Sequence, residues 1–371
     1  VESILDIGRI AMSAELKAQD LPMPPGPIEG PAAWYGPAMD ASKVWLREFS
    51  SDELAELDTA MRSIQAKGLG VIDITRETFP LPKLESILGD IRAELINGRG
   101  FTLMRGIPVD NYTIEESAMV YYGLGVHLGH PVPQNAKGHV LGHVKDLGYH
   151  HEDTSVRIYQ TTVRQTFHTD GCDFVGLLCL KPAKKGGLSS IVSSTTIFNE
   201  MVKRRPDLAA VMFQPLAVDR RGEVPAGYRG YFEMPPLTWY EGKLSGYYVR
   251  RYIQSAERFD DVSNLSDETL EALDFFDELA NDPTLRLDME FRPGDIQMLH
   301  NHQILHDRTA FEDWPEPDRK RHLLRLWLSP EGARPLPDYF IPRYSSVVPG
   351  DPGRGGIRTP GQKLNAPLEA V

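Results

Sequence analysis

The sequence predicts a mainly β fold with helical additions (α+β), and three observations lead to this class. From about residue 96 onward, short runs rich in branched and aromatic residues alternate with turn residues, a pattern typical of a sandwich or barrel. In the first 95 residues, helical spacing of apolar residues dominates instead. A hydrophobic content of 41% with 25% charged residues is that of a globular chain able to build a sizeable core.

Residues 1–95 are expected to form a helical and extended segment that packs on the core. Ser50 to Glu53 has the pattern of a capping box, and the apolar residues after it recur at helical spacing. A second helix is expected near Pro82 to Asn97, with a strand at Gly70 to Ile74 between the two. The stretch Pro22 to Pro37 is rich in Pro, Gly and Ala without periodicity, which predicts an extended surface segment.

Residues 96–333 are predicted to hold the β core. Its strands are expected at Phe101 to Arg105, Val156 to His168, Phe174 to Leu180, Leu188 to Ser193, Gly246 to Tyr252, Leu285 to Phe291, Asp295 to Leu299 and His322 to Leu328. Helices are expected to interrupt them at Thr113 to Leu128, Thr195 to Val202 and Asp267 to Asn281, the last with Ser266 as its N-cap. The tail, residues 334–371, is dense in Pro, Gly and Arg and is expected to wrap the surface or fray.

The charge balance excludes several classes of partner. Lys and Arg total 40 and Asp and Glu total 52, so the net charge of −12 repels phosphate backbones and anionic bilayers. Nucleic acid and membranes are therefore not expected as partners. The most apolar stretches, Ala118 to Val126 and Phe174 to Leu180, are far shorter than a membrane span, and Glu2 and Asp6 lie where a signal peptide would be basic. A cytoplasmic protein with reduced cysteines is expected, and a homo-oligomer is left open.

A candidate metal site begins at His168-Thr169-Asp170, at the end of an expected strand. Side chains at positions i and i+2 of a strand project from one face, so His168 and Asp170 can reach one ion together. With His306 they would make a set of two imidazoles and one carboxylate, the facial triad of non-heme Fe(II) oxygenases, which leaves positions open for other ligands. Taken alone the His-x-Asp pair is weak, and a surface strand pair is its plain alternative.

Two arginines follow in a strand-like run. Arg321 and Arg325 are four residues apart, which keeps both on one face of a strand. A guanidinium matches a carboxylate in bidentate geometry, and removing one partner of a buried ion pair costs about 3–5 kcal/mol. A dicarboxylate cosubstrate would satisfy one of the two arginines. Structural ion pairs to Asp295 or Glu312 are the alternative.

Together these residues resemble the taurine dioxygenase-like (TauD/TfdA) family of Fe(II)/2-oxoglutarate-dependent dioxygenases. The set is far more specific than any one motif, and it lies in the family's order over roughly residues 100–330. The resemblance implies a double-stranded β-helix, a cupin-like jelly roll, as the core. The matching pieces are Phe167-His168-Thr169-Asp170-Gly171, Gly186-Gly187 with Ser189, Pro293-Gly294-Asp295, Asn301 to Arg308, and Arg321 to Leu328.

The resemblance also implies a role for each matching residue. The His/Asp/His triad would ligate Fe(II), Arg321 would bind the distal carboxylate of 2-oxoglutarate, and Ser189 would assist. Arg325 would lie near the cosubstrate or near an anionic group of the primary substrate, and this choice stays open. The implied reaction consumes O₂, releases succinate and CO₂ and hydroxylates a small molecule. Desaturation, ring closure and epimerisation stay open as outcomes.

The primary substrate is not readable from the motifs. Candidate pocket residues are Arg164, which shares strand parity with His168, and the aromatic and basic stretch Tyr247 to Tyr252, from which Arg251 and Tyr252 are taken as substrate-binding candidates. The loop His127 to Asn135 is a further candidate. Each has a simpler interpretation as core packing or as a solvated face.

A histidine cluster between the expected strands predicts a mobile cover over the site. Its spacing is too irregular for a second metal site, and loops between strands often act as lids. The cluster consists of His139, His143, His150 and His151 with Asp146 and Asp153.

Two other functions use the same residues. A cupin-like hydrolase or isomerase could hold Zn²⁺ or Mn²⁺ with the same ligand types, and a non-catalytic jelly-roll binding protein could carry a degenerate site. A hydrolase has no use for a dicarboxylate clamp, so the role of Arg321 separates the first alternative from an oxygenase.

Overall fold

Two β-sheets form the core of the chain in a computed structural model that describes residues 21–149 and 157–370. The strands are β1 (Leu46–Glu48), β2 (Phe101–Arg105), β3 (His130–Pro131), β4 (Leu141–Lys145), β5 (Gln165–His168), β6 (Phe174–Lys181), β7 (Lys185–Gly186), β8 (Ser189–Ser193), β9 (Leu216–Asp219), β10 (Tyr231–Met234), β11 (Leu237–Tyr240), β12 (Lys243–Gly246), β13 (Leu287–Met289), β14 (Ile296–His300), β15 (Ile304–Arg308), β16 (Phe311–Glu312) and β17 (His322–Ser329). The helices are α1 (Gly36–Ser42), α2 (Ser51–Ala66), α3 (Glu85–Asn97), α4 (Ile114–Leu128), α5 (Ser194–Arg204), α6 (Pro206–Val211), α7 (Arg250–Ser255), α8 (Asp267–Asn281) and α9 (Ile341–Tyr344).

The larger sheet has seven strands in the order β1-β2-β14-β6-β17-β3, with β4 also paired to β17. The smaller sheet has the order β13-β8-β15-β5. All pairs in both sheets are antiparallel except β1 with β2, and most neighbours are distant in the sequence. Such pairing of distant strands across two sheets is the topology of a jelly roll. The predicted fold class is confirmed.

Apolar side chains fill three layers around these sheets. Phe101, Val175 and Ile191 belong to a cluster between the two sheets. Helices α2, α3 and α4 pack their apolar faces on the larger sheet, and α5, α6 and α8 build a third cluster on the side of the smaller sheet. Burying one large aliphatic or aromatic side chain contributes about 1.5–3 kcal/mol to the free energy of folding. Packing of the helices therefore stabilises the sheets that carry the candidate site.

Helix ends fixed by local capping agree with the sequence prediction. The hydroxyl of Ser50 accepts from the N–H of Glu53 at 3.3 Å, and the Glu53 carboxylate accepts from the N–H of Ser50 at 2.9 Å. Helix α8 has the predicted bounds, and the Ser266 hydroxyl caps it by accepting from the N–H of Thr269 at 3.1 Å. These signals lie within one helical turn, which is why the sequence predicts them well.

Two predicted strands are wrong. In Gly70 to Ile74, the Asp73 carboxylate accepts from the N–H of Gly70 at 3.0 Å and closes a 3₁₀ turn instead. In Gly246 to Tyr252, β12 ends where the predicted strand begins, and α7 follows. The N–H and the carbonyl of Tyr248 bond to Thr169, each at 2.8 Å, so this segment pairs with the His-x-Asp motif rather than continuing a hairpin.

Two further predictions near the candidate site, a long strand ending at His168 and a mobile cover, differ from the structure. A strand was predicted from Val156 to His168, and Val156 lies outside the described residues. In the described part, from Arg157 onward, only β5 is a strand, and a 3₁₀ turn at Ile158–Gln160 precedes it. His143 of the expected cover lies in β4, inside the larger sheet, and its Nδ1 is 2.8 Å from Nε2 of His322. That part of the cover prediction is wrong, because β4 completes the sheet. His150, His151 and Asp153 lie outside the described residues.

The segment after Arg334 packs against the core instead of fraying. Arg354 has no exposed surface and pairs with Asp173 at 2.7 Å. The N–H of Gly356 donates to the carbonyl of Gly171 at 2.8 Å. This segment therefore supports the loop that follows the His-x-Asp motif. The division of the chain at residues 95 and 333 stays a prediction.

Both cysteines, Cys172 and Cys179, are buried and unpaired. Within the described ranges, no helix combines the length and apolar content needed to cross a bilayer.

Candidate metal centre and substrate cavity

The three triad residues meet at the edge of the smaller sheet. Strands β5 and β15 are antiparallel neighbours, and His168 is the register partner of His306. Nε2 of His168 lies 3.9 Å from Oδ1 of Asp170, and Nε2 of His306 lies 3.8 Å from Oδ2 of Asp170. One ligand atom from each residue lies within 4.8 Å of the others, which fits a single metal ion.

Backbone contacts present the correct nitrogen of His168. Its Nδ1 lies 2.8 Å from the carbonyl of Thr166, so Nδ1 carries the proton and Nε2 keeps its lone pair. The amide nitrogen of Gln165 lies 2.8 Å from that Nε2 and donates to it. Burial, and then the charge of His168, lowers the pKa of His306 to about 3, so His306 is neutral at physiological pH. Neutral imidazoles are the form that binds a metal ion.

Asp170 is held as a carboxylate by its surroundings. Burial raises its pKa, but Arg325 and the two histidines outweigh this and leave the pKa below its usual value. The indole N–H of Trp327 donates to Oδ2 at 2.9 Å. The backbone N–H of Asp170 donates to Oδ1 of Asn301 at 2.8 Å, which fixes the loop that carries the ligand. The sequence had not assigned functions to Trp327 and Asn301, although both lie in the matched motifs.

The two other histidines near His306 lie elsewhere. His300 and His302 are fully buried. His300 Nδ1 is 2.6 Å from the amide of Gln303, and His302 Nε2 is 3.0 Å from Oδ1 of Asp173. Neither joins the triad, so His306 is the second histidine of the candidate metal centre among the described residues.

Arg321 is a buried cation whose guanidinium has no carboxylate within ion-pair distance among the described residues. Arg321 is 4% exposed, its Nη1 has no hydrogen-bond partner, and its guanidinium lies 5.3 Å from the ring centre of Phe311. Its acidic neighbour is Asp313, whose carboxylate accepts from the backbone N–H of Arg321 at 2.7 Å. Burial lowers the pKa of Arg321 to about 10, although Asp313 raises it. The alternative of structural ion pairs is wrong, because Asp295 pairs with Arg105 at 2.8 Å and Glu312 pairs with Lys184.

A second arginine, Arg308, shares the aromatic ring of Phe311. Its guanidinium lies 4.7 Å from the ring centre, and its Nη1 donates to the carbonyl of Thr161 at 2.8 Å. Burial, and then the charge of Arg321, lowers its pKa to about 9. Two guanidiniums beside one ring, neither with a described carboxylate partner, form a pocket that favours an anion. Arg308 lies in a matched motif, but its sequence position alone indicated no role.

Ser189 lies beside this pocket, and Arg325 lies beside the metal centre. Ser189 is the register partner of Arg308, and its hydroxyl donates to Oε1 of Gln297 at 3.0 Å. Nη1 of Arg325 is 3.6 Å from Oδ2 of Asp170, and its Nε donates to Gln134 at 2.7 Å. The prediction that both arginines lie on one face of a strand is wrong, because Arg321 precedes β17 and the strand register shifts after His322. Arg325 contacts the metal centre, and Arg321 belongs to the anion pocket.

A cavity of about 1440 Å³ opens over the triad. His168, Asp170 and Arg325 line it, and so do all three predicted substrate residues, Arg164, Arg251 and Tyr252. The contacts of two of these residues are defined. Nε of Arg164 pairs with Asp307 at 2.7 Å, and the Tyr252 hydroxyl accepts from Arg157.

The sequence as a whole matches a known family. The family model described as "Taurine catabolism dioxygenase TauD, TfdA family" matches residues 64–327. The chain belongs to this family. It is 30% identical over 315 residues to FR-33289 synthase of Streptomyces rubellomurinus, a match that covers 84% of this chain and 93% of that protein. It is also 30% identical over 311 residues to the taurine hydroxylase-like protein SAT17 of Stachybotrys chartarum, which covers 81% of this chain and 79% of that protein.

A solved structure shares the fold of this TauD/TfdA protein. The crystal structure of asparagine oxygenase in complex with Fe(II), 3-hydroxyasparagine and succinate superposes with a TM-score of 0.58 at 15% identity, over 76% of this chain and 93% of that one.

Membership of the TauD/TfdA family confirms the predicted enzyme class. The chain is an Fe(II)- and 2-oxoglutarate-dependent dioxygenase that hydroxylates a small molecule. A metal-dependent hydrolase or isomerase and a non-catalytic binding protein, which the motifs alone left open, do not fit this family.

Proposed function

We propose that His168, Asp170 and His306 hold the Fe(II), and that Arg321 binds the distal carboxylate of 2-oxoglutarate with Arg308 beside it. One observation carries the proposal: a buried guanidinium with no described carboxylate within ion-pair distance lies directly before β17, the strand that carries Arg325, which contacts the triad. A dicarboxylate that reaches from the metal to Arg321 would supply the missing anion.

The triad suits Fe(II) in donor type, and the pKa values of His306 and Asp170 favour their metal-binding forms. Two neutral imidazoles and one carboxylate are the ligands of a facial triad, which leaves positions for a bidentate cosubstrate and O₂. When bound, Fe(II) supplies the oxidising chemistry of the hydroxylation, together with 2-oxoglutarate and O₂. The protein holds the ligands in place, since Trp327, Arg325 and the backbone of Thr166 each orient one of them.

The anion pocket suits the far end of the cosubstrate. A carboxylate at Arg321 would occupy Nη1, the donor that has no partner. Arg308 would add a second positive charge, and Phe311 would hold both guanidiniums flat against one ring. Ser189 is proposed to assist through Gln297, to which its hydroxyl donates.

Arg325 is proposed to act on the substrate side. It lines the cavity, whereas Arg321 does not, and it lies between the rings of Tyr159 and Trp327 at 4.8 and 5.0 Å. In this position it keeps Asp170 ionised and offers positive charge to an anionic substrate. Arg164, Arg251 and Tyr252 stay candidates for substrate contact. A cytoplasmic location and association into homo-oligomers stay predictions from the sequence.

The experiment that tests these roles follows cosubstrate binding directly. Under anaerobic conditions, Fe(II) and 2-oxoglutarate should give a weak visible charge-transfer band with the parent protein, because a keto acid chelates the metal through two oxygens. His306→Ala should lose the band. His130→Gln, which alters a half-buried histidine of β3 outside the triad, should keep it.

Turnover provides the second measurement. Succinate release against a panel of small acids, amino acids and larger organic anions should depend on substrate with the parent and vanish with His168→Ala. Equal succinate release by both proteins would remove the triad from the mechanism.

A further inference from the structure

The substrate cavity carries an excess of positive charge that the metal centre and the cosubstrate pocket do not use. Nine arginines and three carboxylates line it, in a chain whose net charge is −12. Clustered charge of one sign in a cleft concentrates ligands of the opposite sign. The cavity is therefore built to attract anions, although the protein as a whole repels them.

Several of these arginines are neutralised by neighbouring carboxylates. Arg157 pairs with Glu223, and Arg164 pairs with Asp307 at 2.7 Å. Arg250 pairs with two aspartates of α8 at 2.7 and 3.3 Å. The positive charges of these cavity arginines are therefore compensated by ion pairs within the protein.

Arg220 and Arg343 differ, because their side chains donate hydrogen bonds to carbonyl and hydroxyl oxygens only. Nη2 of Arg220 donates to the carbonyl of Pro342 at 2.7 Å. Arg343 donates from Nε to the hydroxyl of Tyr247 at 3.1 Å and from Nη1 to the carbonyl of Gly356 at 2.8 Å. No described carboxylate lies within ion-pair distance of either guanidinium. Burial, and then the charge of Arg343, lowers the pKa of Arg220 to about 10, so the two cations lie close enough to repel each other. Despite the burial of Arg343, Tyr247, Tyr344 and Glu223 raise its pKa.

Arg343 lies next to the metal centre, and Arg220 lies in the same cavity. A Cβ on Gly171 would lie 1.3 Å from Nη2 of Arg343, so this guanidinium rests on the backbone of the residue that follows Asp170. Arg220 is held in place by the rings of Tyr228 and Phe232, at 5.1 and 4.9 Å. Both arginines line the cavity that opens over the triad.

We propose that Arg220 and Arg343 form an anion subsite that holds a phosphate-type dianion, a phosphate monoester or a phosphonate, at one end of the substrate. This assignment rests on the proposed function of the triad. Two guanidiniums need two negative charges, and a phosphate group supplies about −1.5 to −2 charges at pH 7 with three acceptor oxygens. A carboxylate or a sulfonate supplies one charge and leaves one cation uncompensated.

The cavity also accommodates an organic body attached to the anion. Its volume of about 1440 Å³ exceeds the roughly 300–1,000 Å³ of ordinary ligand sites. Aromatic side chains, including Tyr159, Tyr247 and Trp327, contribute to its wall. The substrate class is therefore a phosphorylated or phosphonylated organic molecule whose oxidisable carbon reaches the triad while its anionic end lies on Arg220 and Arg343.

Calorimetry with simple probes tests the subsite without the native substrate. The protein is loaded anaerobically with Fe(II) and saturating 2-oxoglutarate, which occupies the Arg321 pocket. Phenyl phosphate, phenylphosphonate, benzenesulfonate and benzoate are then titrated at pH 7.5. The two phosphorus anions should bind at least about tenfold more tightly than the two monoanions, because each satisfies both guanidiniums.

Two variants test the residues. Arg220→Gln and Arg343→Gln should each weaken phenyl phosphate binding by about 10- to 100-fold. Arg205→Gln, at an exposed arginine outside the cavity, should leave it unchanged. The visible band of the Fe(II) and 2-oxoglutarate complex should persist in all three variants.

The outcomes separate the two proposals. A parent protein that forms the visible band but binds benzenesulfonate as tightly as phenyl phosphate, or binds neither, would overturn the subsite alone. Loss of the band in the parent would overturn the assigned metal and cosubstrate roles. The comparison of the four probes needs no variant, so it decides the question even if one substitution prevents folding.

Discussion

Trp327 donates its indole N–H to Oδ2 of Asp170 at 2.9 Å, the same oxygen that lies 3.8 Å from Nε2 of His306. Trp327 lies on β17 in the larger sheet, whereas His306 lies on β15 in the smaller one. The hydrogen bond thus ties the candidate metal ligand to the opposite sheet of the jelly roll. Such outer contacts orient a ligand and set its affinity for the metal.

Trp327→Phe should weaken Fe(II) binding by about 10- to 100-fold, because Asp170 loses a donor that fixes its rotamer. The substitution keeps an aromatic ring in the core, so the fold should survive. Equilibrium Fe(II) binding, measured anaerobically, checks this result. Trp239→Phe, at a partly buried tryptophan of β11 outside the cavity lining, is the matched control. Unchanged affinity in Trp327→Phe would show that Arg325 alone holds Asp170.

Arg321→Ala should raise the KM for 2-oxoglutarate by about 10- to 100-fold, the loss expected for hydrogen bonds to a charged group. The KM of Arg321→Lys should lie between those of the parent and Arg321→Ala, because lysine keeps the positive charge but cannot bind a carboxylate in the bidentate geometry of a guanidinium. Steady-state succinate release at varied 2-oxoglutarate checks both. A KM unchanged by Arg321→Ala would contradict the proposed role and would point to Arg308 as the carboxylate-binding residue.

The spacing of His168, Asp170 and Arg321 singled these residues out in the sequence, and the structure brings the first two together with His306. The spacing argument assumed continuous strands, but Asp170 follows the end of β5 and Arg321 precedes β17. Their roles in binding metal and cosubstrate stay predictions. The resemblance to the TauD/TfdA family supplied His306, which only the strand pairing brings opposite His168.

The rest of the cavity could not be predicted, since it depends on contacts between distant segments. Arg220 follows β9 and Arg343 lies in α9, and neither shows a periodicity that points to the metal centre. The stretch around Tyr248 was predicted as a strand because its residue types favour one. Its backbone instead bonds to Thr169, a tertiary contact that outweighs local propensity.

A buried histidine pair away from the metal centre should make stability depend on pH. Burial, and then His143, Lys145 and Lys181, lowers the pKa of His322 to about 3. An unfolded histidine takes up a proton near pH 6.5, so between about pH 6.5 and 3 the unfolded chain binds more protons than the folded one. The contribution of His322 to stability is therefore present above about pH 6.5 and falls as the pH drops toward 3.

Urea unfolding at pH 7 and pH 5, with EDTA to remove metal, checks this dependence. The parent should lose stability at pH 5, and His322→Gln should lose less, because its side chain does not titrate. His130→Gln, at a half-buried histidine of β3, should behave like the parent. An identical loss in His322→Gln and the parent would assign the pH dependence to other groups.

The C-terminal segment should prove essential to the loop behind the metal centre. Arg354 donates two hydrogen bonds to Asp173, at 2.7 and 3.0 Å, and neither side chain has exposed surface. Nε2 of His302 lies 3.0 Å from the same carboxylate. Arg354→Met leaves Asp173 buried without its cation, which should lower the free energy of unfolding by about 3–5 kcal/mol. Urea unfolding measures this loss.

A double variant separates the ion pair from packing. Asp173→Leu combined with Arg354→Met removes both charges, and it should regain part of the stability, because an apolar pair avoids the unpaired carboxylate. Arg319→Met, at an exposed arginine that pairs with Glu316 at 3.7 Å, should change stability by less than about 1 kcal/mol. If Arg354→Met loses as little stability as Arg319→Met, the C-terminal segment does not anchor the loop.

Since Asp173 lies on the loop that begins at Asp170, Fe(II) binding should weaken in Arg354→Met and recover in the double variant.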